Sequence, residues 1–175
     1  EFYEHLIGLN DIPTANNQWL SLEDYRLAAA TNGKVFRDDL GEFTRIRKGL
    51  LAYYPEEVRL KKIARQAALM AQSGQYNYSR MFGRGERVTA QFAPPEFMKH
   101  TMAMVYLLNC TYAPFYKWMH KGMDKLVILK QIKDVLSALV ELPVGDDRIP
   151  QTIELIVAMI IAEMKKQGLT SGDDN

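Results

Sequence analysis

The stretch from Tyr53 to Arg84 restricts the fold more than any other part of the chain. Pro55 presets a helical φ at a first helical position, and Glu56 and Glu57 follow where the helix dipole favours acid. Leu60, Ile63, Ala64, Ala67, Met70 and Ala71 then recur at helical spacing, with alanines that let a neighbouring helix come close. Gly74 weakens the helix near its end, so the residues from Gln75 to Met81 either continue it or leave it. Gly83 and Gly85 mark a break.

The rest of the chain reads the same way. Phe2 to Ile7 is a short helix ended by Gly8, and Asn10 to Gln18 is a loop with Trp19 as its anchor. Ser21 and Asp24 give an N-cap signature for a helix running to about Thr31, stopped by Asn32-Gly33. Gly41 to Ala52 is a further helix. From Phe97 to Cys110 apolar residues occupy nearly every face, the mark of a buried central helix. Pro114 then predicts a kink or a restart. Ile128, Leu129, Ile132, Val135, Leu136 and Leu139 predict an amphipathic helix, and Pro150 opens a last one with Ile153, Ile156, Val157, Ile160 and Met164 inward. No useful strand alternation and no repeat occur. The expected fold is an all-α bundle of about five to seven helices with short connections. The bundle spans residues 21–167, with a leading segment 1–20 and a flexible tail 168–175.

The 175 residues carry a net charge of +1, so no global field points to nucleic acid or acidic membrane, and neither is expected as a partner. The single cysteine, Cys110, excludes an internal disulfide and suits a reducing cytoplasm. The longest apolar run, Leu155 to Ala162, is too short to span a bilayer and is bracketed by Glu154 and Glu163. The chain opens at Glu1 without Met, which leads us to expect further sequence upstream.

Two stripes carry the candidate site. If the Pro55 helix continues, Arg65, Gln72, Tyr76 and Arg80 fall on one stripe, with Asn77 beside it. Asn109, Tyr112, Tyr116 and His120 recur at the same steps, flanked by Lys117 and Trp118. Facing each other, the stripes would line a groove in which Arg and Lys suit phosphate or carboxylate and the aromatics suit a flat ring. The competing reading makes the tyrosines and Trp118 core residues with hydrogen-bonded polar tips, and Arg80 and Arg84 plain surface charges. Other signals carry less. His5, His100 and His120 show no metal-ligand spacing. Asp38-Asp39 and Asp146-Asp147 sit in turns, and core filling accounts for the nine methionines. No nucleophile–base pair emerges.

Three stretches carry a resemblance. They are Gly33-Lys34-Val35-Phe36-Arg37-Asp38-Asp39-Leu40-Gly41, Leu51-Ala52-Tyr53-Tyr54-Pro55-Glu56-Glu57-Val58 and Tyr112-Ala113-Pro114-Phe115-Tyr116-Lys117-Trp118. In this order and spacing they resemble a bacterial helical domain of unassigned function found directly C-terminal to a nucleotidyltransferase domain of the polymerase-beta type. The resemblance covers Trp19 to Lys121, and more loosely beyond. It implies a two-part enzyme. An N-terminal half absent from this chain would carry the Gly-Ser motif and metal-binding carboxylates, and would bind magnesium and a nucleoside triphosphate. The helical half would cover that site and bind a small-molecule acceptor, as similar bundles do in aminoglycoside nucleotidyltransferases. Residues 1–20 would then be the end of the catalytic half or a linker, and the variable segment Gln72 to Arg87 would set acceptor specificity. The resemblance places no catalytic residue and no cofactor in this chain. The alternative is a non-catalytic interaction or dimerisation module using the Ile-rich last helix. A stand-alone enzyme has the least support.

Overall fold

The computed structural model describes residues 1–171; residues 172–175, the end of the expected tail, lie outside the described residues. The architecture is all-α, with no strand among the described residues. The helices are α1 (Phe2–Ile7), α2 (Asn16–Ser21), α3 (Asp24–Thr31), α4 (Glu42–Leu51), α5 (Glu56–Met70), α6 (Ser79–Gly83), α7 (Arg87–Ala90), α8 (Ala93–Leu108), α9 (Tyr116–Gly122), α10 (Ile132–Val140) and α11 (Arg148–Lys166). A π-helical segment, Ala71–Tyr78, joins α5 to α6, and a 3₁₀ turn, Met123–Lys125, follows α9.

The Pro55 stretch therefore continues without a break to Gly83. Gly74 does not end it, because it is the point of closest helix contact. A Cβ added there would lie 2.9 Å from Ile153 Cγ2 of α11 and closer still to the Phe97 ring of α8. The π segment widens the helix at the point where two neighbours press against it. Its Ser73 hydroxyl donates to the Leu69 carbonyl at 2.6 Å, and its Gln75 amide donates to Glu154 of α11 at 2.8 Å.

α8 is the central helix. Phe97, Thr101, Met104, Val105, Leu107 and Leu108 are all buried, as its all-round apolarity predicts. It ends before Pro114, and the chain restarts as α9. α11 buries Ile149, Ile153, Ile156 and Ile160, so its isoleucine stripe is spent on the core. Gly168 adopts φ 69°, and Leu169 N–H donates to the Met164 carbonyl at 2.9 Å while its side chain packs on the core.

The first twenty residues join the same core through Tyr3, Ile7 and Trp19. Here the capping group differs from the one expected. The Gln18 side-chain carbonyl accepts from Thr14 N–H at 2.9 Å and Ala15 N–H at 3.1 Å, which starts α2 inside the predicted loop. Ser21 becomes the last residue of α2, its hydroxyl donating to the Gln18 carbonyl at 2.7 Å, and Glu23 is the N-cap of α3.

Replacing Gly74 by Ala opposes two effects. Helix propensity favours Ala by roughly 1 kcal/mol, whereas overpacking a core typically costs about 1–3 kcal/mol. Phe97 and Ile153 are both fully buried and have nowhere to retreat, so overpacking dominates. The expected outcome is a less stable Gly74→Ala variant, read as a lower urea midpoint at unchanged slope.

Candidate functional site

A groove of about 700 Å³ lies between the N-terminal half of α8, α9 and the C-terminal end of α10. Met98 and Met102 from α8, Met119 from α9, and Leu136 and Val140 from α10 give it apolar walls. Glu96, Lys99, Tyr116, His120, Ser137 and Glu141 supply its polar positions. An apolar pocket with a few convergent polar groups is the usual form of a small-molecule site.

Three contacts place α9 against its neighbours. Tyr106 of α8 donates its hydroxyl to the Met119 carbonyl at 2.9 Å, and Gly122 provides the space for that hydroxyl. Burial pushes the Tyr106 phenol up to about 12, which keeps it a donor. His120 Nε2 lies 3.1 Å from the Lys133 carbonyl and 3.2 Å from Ser137 Oγ. A Ser–His contact in a groove suggests a nucleophile and its base. However, the Ser137 hydroxyl also reaches the Lys133 carbonyl, at 3.1 Å. Both side chains therefore converge on one backbone oxygen, and the contact acts as a tie between α9 and α10.

The residues expected to form the site separate into three groups. Asn109 and Tyr112 are architectural. The Asn109 amide donates to the carbonyls of Val105 at 2.8 Å and Ile128 at 2.9 Å. Its oxygen accepts from Val127 N–H at 3.1 Å and Ile128 N–H at 2.8 Å, so its hydrogen-bonding capacity is full. Tyr112 is buried and donates to the Leu50 carbonyl at 2.7 Å, inside an aromatic cluster with Tyr53 and Tyr54. Burial raises the phenols of all three above their ordinary value.

Arg65, Gln72, Tyr76 and Arg80 are exposed on α5, the π segment and α6, with Asn77 half-buried beside them. Arg80 and Tyr76 pair with each other, the guanidinium lying 5.0 Å from the Tyr76 ring centroid. The third group is on α9, where Tyr116 and, from the same expected stripe, His120 line the groove, while Lys117 and Trp118 are exposed on the helix surface.

The two stripes are thus not brought together, for two physical reasons. The π segment changes the angular step, so α-helical spacing does not carry through Ala71–Tyr78. α8 ends at Leu108, so Asn109, Tyr112 and Tyr116 do not share one helix. The residues missed were Met98, Met102 and Met119, read as core filling. Their signal was a pair of methionines four apart beside Glu96 and Lys99 on a helix too apolar for one buried face.

At the groove's edge, His100 sits between Gln66 Oε1, 2.8 Å from Nδ1, and Glu96 Oε2, 3.2 Å from Nε2. Burial lowers the imidazole below its usual range, and the Glu96 carboxylate opposes this without overcoming it.

Among the described residues, no group of three or more His, Cys, Asp or Glu could hold a metal ion. No helix there is long and apolar enough to cross a membrane.

The fold and groove define an all-α bundle with a concave face built by three helices. The family model of the domain of unknown function DUF4037 matches residues 19–119, more than half of the chain, and the protein belongs to that family. No curated protein and no solved structure matches the chain.

The lowered His100 pKa fixes a sign. The unfolded chain binds a proton on this ring more readily than the folded one. Stability is therefore fully present above the ordinary imidazole value of about 6.5, and is lost as pH falls through the lower folded value. Urea midpoints between about pH 5 and 7.5 should rise with pH, and His100→Gln should flatten that rise.

Proposed function

We propose that this chain is the acceptor-binding helical domain of a bacterial, cytoplasmic nucleotidyltransferase whose catalytic domain is a separate unit. The observation that carries the reading is the groove between α8, α9 and α10, into which Tyr116 of the Tyr-Ala-Pro-Phe-Tyr-Lys-Trp stretch projects. Its methionine walls adapt to varied apolar bodies, and Glu96, Lys99 and Glu141 at its margin fix polar groups. Metal-assisted nucleotidyl transfer needs carboxylates that hold magnesium against a triphosphate. In this reading those carboxylates belong to the catalytic domain, and this chain supplies the acceptor.

A second reading, a non-catalytic interaction module, is favoured by the loop from Asn32 to Gly41. Arg47 donates to the Thr31 and Gly33 carbonyls at 2.7 and 2.8 Å, and Asp38 accepts from Thr44 N–H at 2.7 Å. The loop so held presents Phe36, 95 % exposed, and Leu40, 89 % exposed. That apolar projection suits docking on another protein surface, the catalytic domain included.

The test uses the longer gene product and follows pyrophosphate release with magnesium, each nucleoside triphosphate, and panels of amino sugars, nucleosides and amino acids. Ser137 is exposed at the groove, so Ser137→Trp fills the groove without entering the core, and Ser137→Ala, which removes the same contacts with His120 and the Lys133 carbonyl without filling it, is its control. The expected result is acceptor-dependent pyrophosphate release whose kcat/KM falls about tenfold or more in Ser137→Trp, equivalent to roughly 1.4 kcal/mol. Absence of acceptor-dependent release, or release indifferent to Ser137→Trp, would overturn the reading.

A further inference from the structure

Net charge conceals a strong local asymmetry. Residues 117–133 contain five lysines and one aspartate, a charge of +4, which leaves the rest of the chain at −3. α9 and its 3₁₀ turn form one surface ridge across this segment. Met119, Met123 and Leu126 are buried, while Lys117, Lys121 and Lys125 face outward at four-residue steps, a rise of ~6 Å each.

None of these three lysines takes part in an ion pair among the described residues. The nearby acid, Asp124, is paired with Lys133. Like charges four residues apart weaken a helix. The row thus presents three cations with no carboxylate partner among the described residues, which suits a surface that meets an anion.

The ridge also carries Trp118. Its ring is 53 % exposed, whereas Trp19 is 4 % exposed. Lys117 Nζ lies 5.7 Å from the Trp118 ring centroid. An exposed flat ring beside a row of cations is the pairing that grips a single strand, with phosphates on the lysines and a base stacked on the ring.

A membrane surface fits less well. A helix lying in a lipid interface needs its apolar face free, and here that face is buried against the bundle. A duplex fits less well too, because its paired bases keep their faces stacked on one another.

We propose that the Lys117–Lys121–Lys125 row together with Trp118 is a binding ridge for single-stranded nucleic acid. This stands independently of the groove, because none of these four residues lines it. The sequence expectation of no nucleic-acid partner rested on the global charge, which averages the ridge away.

The test measures binding of a fluorescein-labelled 12-nucleotide oligouridylate to the full chain between 50 and 200 mM salt. Three phosphate contacts on a single strand give a slope of about −2 in log affinity against log salt. Lys117→Glu with Lys121→Glu should weaken binding more than tenfold and flatten the slope by about 1.4. Trp118→Ala should weaken it by about tenfold at unchanged slope, and the wild-type tryptophan emission should be quenched on binding. All these side chains are exposed, so circular dichroism should be unchanged. Several results would overturn the proposal: no binding at 50 mM salt, affinity indifferent to either variant, or a duplex of equal length bound equally well. Binding to 3:7 phosphatidylserine–phosphatidylcholine vesicles in preference to the oligonucleotide would also overturn it.

Discussion

The bundle depends on a buried guanidinium. Arg59, in the first turns of α5, is almost wholly enclosed. Its Nε donates to the Leu107 carbonyl at 3.1 Å, its Nη1 to Glu56 at 3.0 Å and its Nη2 to Gln167 at 2.6 Å. Gln167 in turn donates to the Leu108 carbonyl at 3.1 Å and to Glu163 at 2.9 Å. These bonds give the Leu108 carbonyl at the end of α8 a partner and add a second to the Leu107 carbonyl, which also accepts from Cys110 N–H at 3.2 Å, and they tie the ends of α8 and α11 to the start of α5. A buried charge is tolerable only with such a full set of partners. A second half-buried polar node lies nearby, where Asp24 accepts from Lys62 at 2.7 Å and from Tyr54 at 2.9 Å.

With that end of the bundle fixed, the groove follows at the other. α8 is clamped at its C-terminal end by Arg59 and in its N-terminal half by the contact of Phe97 with Gly74. Its N-terminal half meets α9 and α10 without closing the space between them. Met98 and Met102 are only partly covered there and line the groove. α9 then has two working sides. Tyr116 and His120 look into the groove, whereas Lys117 and Lys121, continued by Lys125 of the 3₁₀ turn, look outward. One short helix thus carries an apolar recess and a cationic ridge, which place different demands on a partner.

Much of the fold was legible in the sequence because it rests on local physics. The periodicity after Pro55, the all-round apolarity of residues 97–110 and the isoleucine spacing after Pro150 each require burial of a particular helix face. The isoleucine stripe proves to be core, which removes it as a ready interface. The candidate site was less legible, because it depends on which helices meet. Asn109 and Tyr112 look like ligand-binding groups, yet their polar atoms are spent on backbone groups of residues distant in sequence. Gly74 reads as a weak point until Phe97 and Ile153 are seen against it. Met98, Met102 and Met119 read as filler because no sequence pattern states which face of a central helix is left uncovered. The lysine ridge was hidden by averaging charge over the whole chain.

The central claim is that the α8–α9–α10 groove is a binding site on a rigid frame, and the methionines report on it directly. With ¹³C-methyl methionine labelling, a fragment library of small amines, sugars and aromatic acids can be titrated against the protein. The account predicts that Met98, Met102 and Met119 shift together and saturate, while Met70 and Met104, buried elsewhere in the core, stay fixed. Saturable shifts confined to other methionines, or none with any fragment, would contradict it.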